Sequence, residues 1–461
     1  MTAAWRGGRE PAAAPSRSRL RRSLRASTLD ASCYAAMVGF GETYFPAFAL
    51  FLGASPLQVG IVTTVPILAG AAFQLWATAA AHRLGDRRWV IASAALQAAV
   101  FVPIALLARR TGGGYPALLA WACLYWMLNL GINPAWNAWI ARMVPPLIRS
   151  RYFGRRNVAV HSLVFASLLA GGFVIDAAVR TAVGAGTGFA ATFALAGASR
   201  LGSVWFLSQQ HDPGSGMRTD RLPYRTLLTD FVRQPYGRLI LLIVLISGVV
   251  NLSAAYFTPY MLRRLNLSYA RFTILNGAIA AARILSASYW GEIARSYGNR
   301  RALQVAAVLI VPLSALWVVS DNFAYLMGLQ LLAGFAWAGF ELTTFLNLFD
   351  CTNDRTRAHV LSIYNLLNGV LIVSGSLLGG ATMQLLGDGG YHVVFIVSSV
   401  CRAVIVLLMG RGVGLRRRPW EHSFGNVFTR VITFRVGEGE DVRPVVLDEQ
   451  PPHPARNRAK G

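Results

Sequence analysis

Residues 78–88 read TAAAHRLGDRR, and residues 291–301 read GEIARSYGNRR. Laid one on the other, Gly85 falls on Gly298, Arg87 on Arg300 and Arg88 on Arg301. Glycine permits a tight reversal of the chain, and arginines at helix ends can hold terminal carbonyls. Each stretch therefore reads as a basic turn between two helices, and the turn occurs twice. The same register extends outward, setting Pro46 on Pro259 and Ser55 on Ser268. At slightly shorter spacings Gly131 meets Gly339, Arg149 meets Arg357, Asn157 meets Asn365, and Gly171-Gly172 meets Gly379-Gly380. Further on, Gly188 meets Gly390, Phe193 meets Phe395 and Arg200 meets Arg402. The spacing changes only where loops can differ in length, so one block of helices is duplicated in the same order and orientation.

Composition says what kind of helices these are. Of the 461 residues 54% are hydrophobic and only 14% charged, and the mean hydropathy is +0.45. A soluble domain cannot hide that much apolar surface. Stretches of about 20 apolar residues, enough to cross a bilayer, recur along the chain, and their continuity excludes the alternating strands of a β-barrel. The fold class predicted is an all-α integral membrane protein with twelve transmembrane helices arranged as two six-helix repeats. The spans are expected near 29–52, 56–81, 88–108, 115–141, 156–179, 187–207, 237–262, 267–291, 301–320, 323–350, 358–386 and 391–411. The organisation that follows is a basic tail at 1–28, a first half at 29–207, a polar linker at 208–236, a second half at 237–412, and a basic, proline-rich tail at 413–461.

Loop arginines set the expected orientation. One side collects those of the first tail, Arg83, Arg87, Arg88, Arg149, Arg151, Arg155, Arg156, Arg218, Arg221, Arg225, Arg233, Arg295, Arg300, Arg301, Arg355, Arg357 and Arg416 to Arg418. The other holds Arg109, Arg110, Arg180, Arg263, Arg264 and Arg271. Basic residues favour the cytoplasmic side, so both termini are expected in the cytoplasm of a bacterium, with the chain in its inner membrane. The net charge of +24 has this topological origin, which leaves no case for nucleic-acid binding. The segment 427–432 pairs apolar residues one helical turn apart and could lie against anionic lipid. Cys33, Cys123, Cys351 and Cys401 show no CxxC spacing, so neither a disulfide framework nor a metal site is expected. No Walker-type loop, nucleophile motif or zinc spacing occurs, so no cofactor and no enzymatic activity are expected.

The duplicated turn resembles the signature loop of the major facilitator superfamily, Gly-x-x-x-Asp-Arg-x-Gly-Arg-Arg. The first copy keeps Arg83, Gly85 and Arg87 but has Thr78 and His82 where the family has glycine and aspartate. The second keeps Gly291, Gly298 and Arg300. The stretch Asn133-Pro134 to Arg142, leading into Arg149–Asn157, is similar to the fourth-span ending of a subset of bacterial facilitators. The resemblance covers roughly residues 29–411. It implies a transporter whose gating loops hold Arg83, Gly85, Arg87, Arg88, Gly298, Arg300 and Arg301; topology alone also accounts for these arginines. It further implies that spans one, four, seven and ten line a central cavity.

Polar groups inside spans are costly and mark candidate sites. Those four spans carry Glu42, then Asn129, Asn133 and Asn137, then Asn251, then Glu341 and Asn347. The span-four asparagines recur every four residues and so share one helix face. They can bind a solute or bond neighbouring helices. Glu341 falls on Asn133 in the repeat, and Arg283 in span eight is its expected cationic partner. A carboxylate that alternates between an arginine and a proton could couple proton flux to movement, and a static pair is the other reading. The expected function is a monomeric secondary transporter of a small-molecule substrate, surrounded by membrane lipid, with protons as the candidate coupling ion. The alternative is a facilitator-fold protein that serves as an assembly factor or sensor.

Overall fold

The computed structural model describes residues 17–109, 113–181, 183–212, 235–350 and 354–412. The beginning of the first tail, most of the linker, Cys351 and the last tail with its segment 427–432 lie outside the described residues. So do Arg110, Arg218, Arg221, Arg225, Arg233 and Arg416 to Arg418.

The first half runs through α1 (Arg17–Phe40), a 3-10 turn (Glu42–Tyr44), α2 (Phe45–Phe51), α3 (Pro56–Leu84), α4 (Asp86–Leu107), α5 (Tyr115–Met143), α6 (Pro146–Arg180) and α7 (Gly184–Ser208). The second half repeats the order. It has α8 (Pro235–Ala254), a short turn (Phe257–Pro259) with a π-turn (Tyr260–Arg264), α9 (Tyr269–Tyr297), α10 (Asn299–Ile310) with a 3-10 turn (Ala315–Val318), α11 (Phe323–Asp350), α12 (Asp354–Leu386) and α13 (Gly390–Gly412). No strand occurs among the described residues. The helix α1 begins at Arg17, well before the span boundary expected at residue 29, and it buries Ser23, Ala26 and Ser27.

The repeat is written in backbone chemistry. Ser55 Oγ accepts from Gln58 N while Gln58 Oε1 accepts from Ser55 N, a reciprocal cap that starts α3. Ser268, its counterpart, accepts from Arg271 N and starts α9. Both helices are 29 residues long and both stop at a left-handed glycine, Gly85 at φ 87° and Gly298 at φ 84°. No neighbour lies within 4 Å of a Cβ built at either glycine, so only backbone strain opposes a side chain there. Gly85→Ala is accordingly expected to cost about 1–3 kcal/mol, read as a lowered melting temperature of the purified protein, with Gly298→Ala giving a similar drop.

Among the described residues, ten helical segments are long and apolar enough to cross a membrane. The predicted spans one and eight are not among them, and their residues say why. Span one is interrupted at Gly41 and carries Asp30 and Glu42, while α9 carries Arg271, Arg283, Glu292 and Arg295. Neighbouring helices compensate: α1 packs on α6 and α7, and α9 on α6 and α11. The breaks in spans one and seven occupy matched places, so they belong to the duplicated scaffold, with Pro46 in the first turn of α2 and Pro259 closing the segment Phe257–Pro259.

Equivalent packing holds each half together, α3 on α5 and α9 on α11, α1 on α6 and α8 on α12. The halves meet where α3 packs on α12 and α6 on α9. Their cross-contacts gather away from the face that holds Arg17 and Gly412, on what we term the distal face. There Ala270 N donates to Asp176 Oδ1 (3.3 Å) and Arg263 Nη2 reaches Leu50 O (3.5 Å). Tyr44 Oη and Thr273 Oγ1 are 3.3 Å apart. Phe189 meets Tyr269 edge-on at 5.5 Å. Small residues allow this approach: a Cβ on Gly172 would lie 2.0 Å from Thr273 Oγ1, and one on Gly380 would lie 2.1 Å from Leu57 Cδ1.

Candidate functional site

The break in span one puts Glu42 on a 3-10 turn, where the backbone leaves the regular ladder and a side chain can point across the helix rather than along it. Tyr125 Oη donates to Glu42 Oε2 at 2.7 Å. Two turns back, Tyr34 Oη donates to Asn129 Oδ1 at 3.0 Å. Span one and α5 are thus tied twice, once by a tyrosine from each, and Glu42 and Asn129 are the two acceptors.

The line of polar groups continues toward the face of the termini. The Arg200 guanidinium lies 5.1 Å from the centre of the Tyr34 ring, and its Nη1 donates to Ser203 Oγ at 2.8 Å. Ser203 Oγ in turn donates to Asp30 Oδ1 at 2.6 Å. Arg156 stacks 4.6 Å over Trp136 and reaches Ser27 O at 3.4 Å. Asp30, Arg200 and Asn129 are buried. A buried charge is tolerable only when paired and hydrogen-bonded, and this series of contacts supplies both.

On α5, Asn133 and Asn137 extend the same stripe beyond Asn129, and both are exposed. In the second half Arg283 Nη1 lies 3.1 Å from Glu341 Oε1, and the two side chains keep 40% and 55% of their exposure. An ion pair this open within the helix bundle is costly against hydrocarbon and is stabilised by water beside it. Asn251 is half-buried and donates to Ser247 O within its own helix (2.9 Å). Asn347 is buried and donates to Asn299 O (2.9 Å) and Thr343 O (2.7 Å). Those bonds tie the end of α11 to the start of α10. The arrangement therefore has two polar centres, Glu42 with Tyr125 in one half and Arg283 with Glu341 in the other, and the exposed amides of α5 beside the first.

The sequence matches a family model described as Major Facilitator Superfamily over residues 31–350 and again over 240–429. The chain belongs to the Major Facilitator Superfamily. Solved facilitator structures agree in fold. The nucleoside transporter NupG superposes with a TM-score of 0.65 at 12% identity, over 86% of this chain and 100% of that one. A bacterial homolog to the human lysosomal transporter Spinster, in an inward-facing and occupied conformation, gives 0.64 at 15% identity, over 86% and 97%. No curated protein matches the sequence.

The facilitator loop after α3 makes its contacts inside its own half. Arg87 Nη2 donates to Ser208 O (2.5 Å) and its Nε to Gln210 O (3.3 Å), capping the end of α7. Asp86, the first residue of α4, pairs with Arg142 at the end of α5 at 2.6 Å. Arg83, Arg88 and Arg300 are exposed, and Arg301 is half-buried. Sequence reasoning passed over Tyr125, Tyr34 and Asp30. Tyr125 sits one turn before Asn129 on the asparagine face, and extending that stripe by four residues would have found it. Asp30 stands second in the expected span 29–52, at a span end where a charge is ordinary.

Proposed function

We propose that this facilitator moves a small polar solute across the bacterial inner membrane by alternating access, and that protons drive it. The observation that carries the reading is the asymmetry of the seam. The cross-half contacts gather on the distal face, while the exposed Arg283–Glu341 pair and the exposed Asn133 and Asn137 offer polar surface on two different halves. With both termini in the cytoplasm, as the arginine distribution supports, this is an inward-facing state. In this reading Asn133 and Asn137 hydrogen-bond the solute, and Arg283 takes an anionic group on it while Glu341 takes a proton. Glu42 is the second proton site, since Tyr125 can donate to it in either protonation state. Neutralising a carboxylate lowers the cost of enclosing it away from water, which links protonation to the rocking of the halves.

The test is uptake into proteoliposomes by the purified protein, with a panel of polar metabolites and an imposed pH gradient. Concentrative uptake of at least one solute that collapses with the gradient supports the reading. A protein that moves nothing under any gradient yet co-purifies with a stable membrane partner belongs to the non-transporting class. The seam makes a separate prediction. Gly172→Val drives a side chain into Thr273 on the opposite half, so the distal face is expected to open. Spin labels at Thr181 and Asn322, both exposed, should then show a longer most-populated distance than in the unsubstituted protein.

A further inference from the structure

On the distal face a cavity of about 400 Å³ opens between the halves, lined by Pro56, Arg263, Arg264, Asn266, Met383 and Tyr391 among others. Pro56 begins α3 of the first half, and the remaining residues belong to the second. The volume suits a small ligand. The chemistry of the wall is unusual for its place, because it presents two consecutive arginines on the face opposite the one where the loop arginines concentrate. Nothing in the topology asks for them there.

Local backbone structure aims them. Residues Tyr260–Arg264 form a π-turn, in which successive residues step round the axis by a smaller angle than in an α-helix, so neighbouring side chains diverge less. The turn ends where Leu265 N bonds Tyr260 O (2.9 Å) and Leu267 N bonds Met261 O (3.0 Å), with Asn266 left-handed at φ 47° between them. That ending turns the chain away and leaves both arginines exposed at the rim. Arg263 already reaches across the seam to Leu50 O. The carboxylate of Asp321 is engaged elsewhere, accepting from Tyr260 Oη at 3.1 Å. Among the described residues neither arginine forms an ion pair.

We propose that this cavity binds a phosphate-bearing group, from a free phosphate compound or from the headgroup of an anionic lipid. Each guanidinium offers five N–H donors in a fixed fork. Two of them match the double charge and the several acceptor oxygens of a phosphate monoester, whereas a single carboxylate would leave one arginine uncompensated. A group held there would touch both halves, Pro56 on one side and the arginine turn on the other. Its occupancy therefore strengthens the closed distal face. The cavity shares no lining residue with the Glu42 and Glu341 centres, and its ligand is independent of the solute carried.

The test uses the full chain in nanodiscs of phosphatidylcholine, titrated with inorganic phosphate, and in nanodiscs containing phosphatidylglycerol without phosphate. Melting temperature and calorimetry are the readouts. A free phosphate ligand raises the melting temperature in the first arm, and a lipid headgroup does so in the second. In either arm the double variant R263A/R264A should weaken binding by about tenfold or more, the loss of one charge-assisted hydrogen bond being worth roughly that factor. R263Q/R264Q keeps the side-chain bulk and serves if the alanine form fails to fold. R271A removes an exposed distal arginine that instead lies 5.8 Å from the Phe323 ring, and it should bind as the unsubstituted protein does. Failure of both arms to show any stabilisation overturns the proposal. So does binding that survives R263A/R264A or R263Q/R264Q, or that falls equally in R271A.

Discussion

Glu42→Gln is expected to abolish concentrative transport while leaving the protein folded. The substitution keeps size and shape, and the amide oxygen can still accept from Tyr125 Oη, so the tie between span one and α5 survives. What it removes is the ability to bind and release a proton. A carrier uncoupled from its gradient can only equilibrate its solute, so the inside-to-outside ratio should fall to about one. Exchange of labelled for unlabelled solute at equal concentrations, which needs no coupling, should persist. Accumulation ratio and exchange rate measured in the same proteoliposomes decide the matter. Undiminished accumulation by the variant would remove Glu42 from the proton path and leave Glu341 to carry it. The repeat sharpens this expectation, because Ala255 occupies the place of Glu42 in the second half. The scaffold makes the same break in span seven without a carboxylate.

The second large effect separates two arginines that the repeat makes equivalent. Arg200 and Arg402 retain 3% and 2% of their exposure, so neither reaches for the membrane surface. Arg200 acts through Ser203 on the buried acid Asp30. Arg402 donates instead to Ile310 O at 2.9 Å and to Ser253 and Ser398 hydroxyls at 3.0 Å. Arg200→Met leaves the buried Asp30 with Arg156 as its weaker Coulombic partner and should cost about 3 kcal/mol, the low end of the range for breaking a buried ion pair from one side. Arg402→Met strands no charge. Its two serines keep other partners, Ser398 Oγ donating to Val249 O at 2.7 Å and Ser253 Oγ to Val250 O at 3.2 Å, so the loss should be about 1–2 kcal/mol. Thermal unfolding of the two variants side by side measures the contrast, and equal losses would show that Asp30 does not depend on Arg200.

Both expectations rest on features of unequal visibility in the sequence. The duplicated fold was legible because backbone rules leave residue-level marks at fixed offsets: a serine where a helix starts, a glycine where the chain must turn left-handed. Ser55 with Ser268 and Gly85 with Gly298 are such marks, and their spacing survives divergence of everything between them. Glu42, Glu341 and Arg283 stood out because charge in an apolar run is rare. The tyrosines did not, since an aromatic residue in a membrane helix is ordinary until its hydroxyl is seen to meet a partner on another helix. Hydropathy misjudged spans one and eight for the reverse reason. Their charges are compensated by contacts with α6, α7 and α11, and composition carries no record of those.

The pairing of Asp30 also bears on how the protein is made. Ser203, which links the acid to Arg200, lies 173 residues downstream of it. At ribosomal rates of about 5–20 residues per second, the first helix waits roughly 10–35 s for this link. Arg156 on α6 is the first guanidinium to face the acid, and the hydrogen-bonded link to Arg200 through Ser203 closes only when α7 arrives. The first half is therefore assembled as one unit, its earliest helix completed by its last.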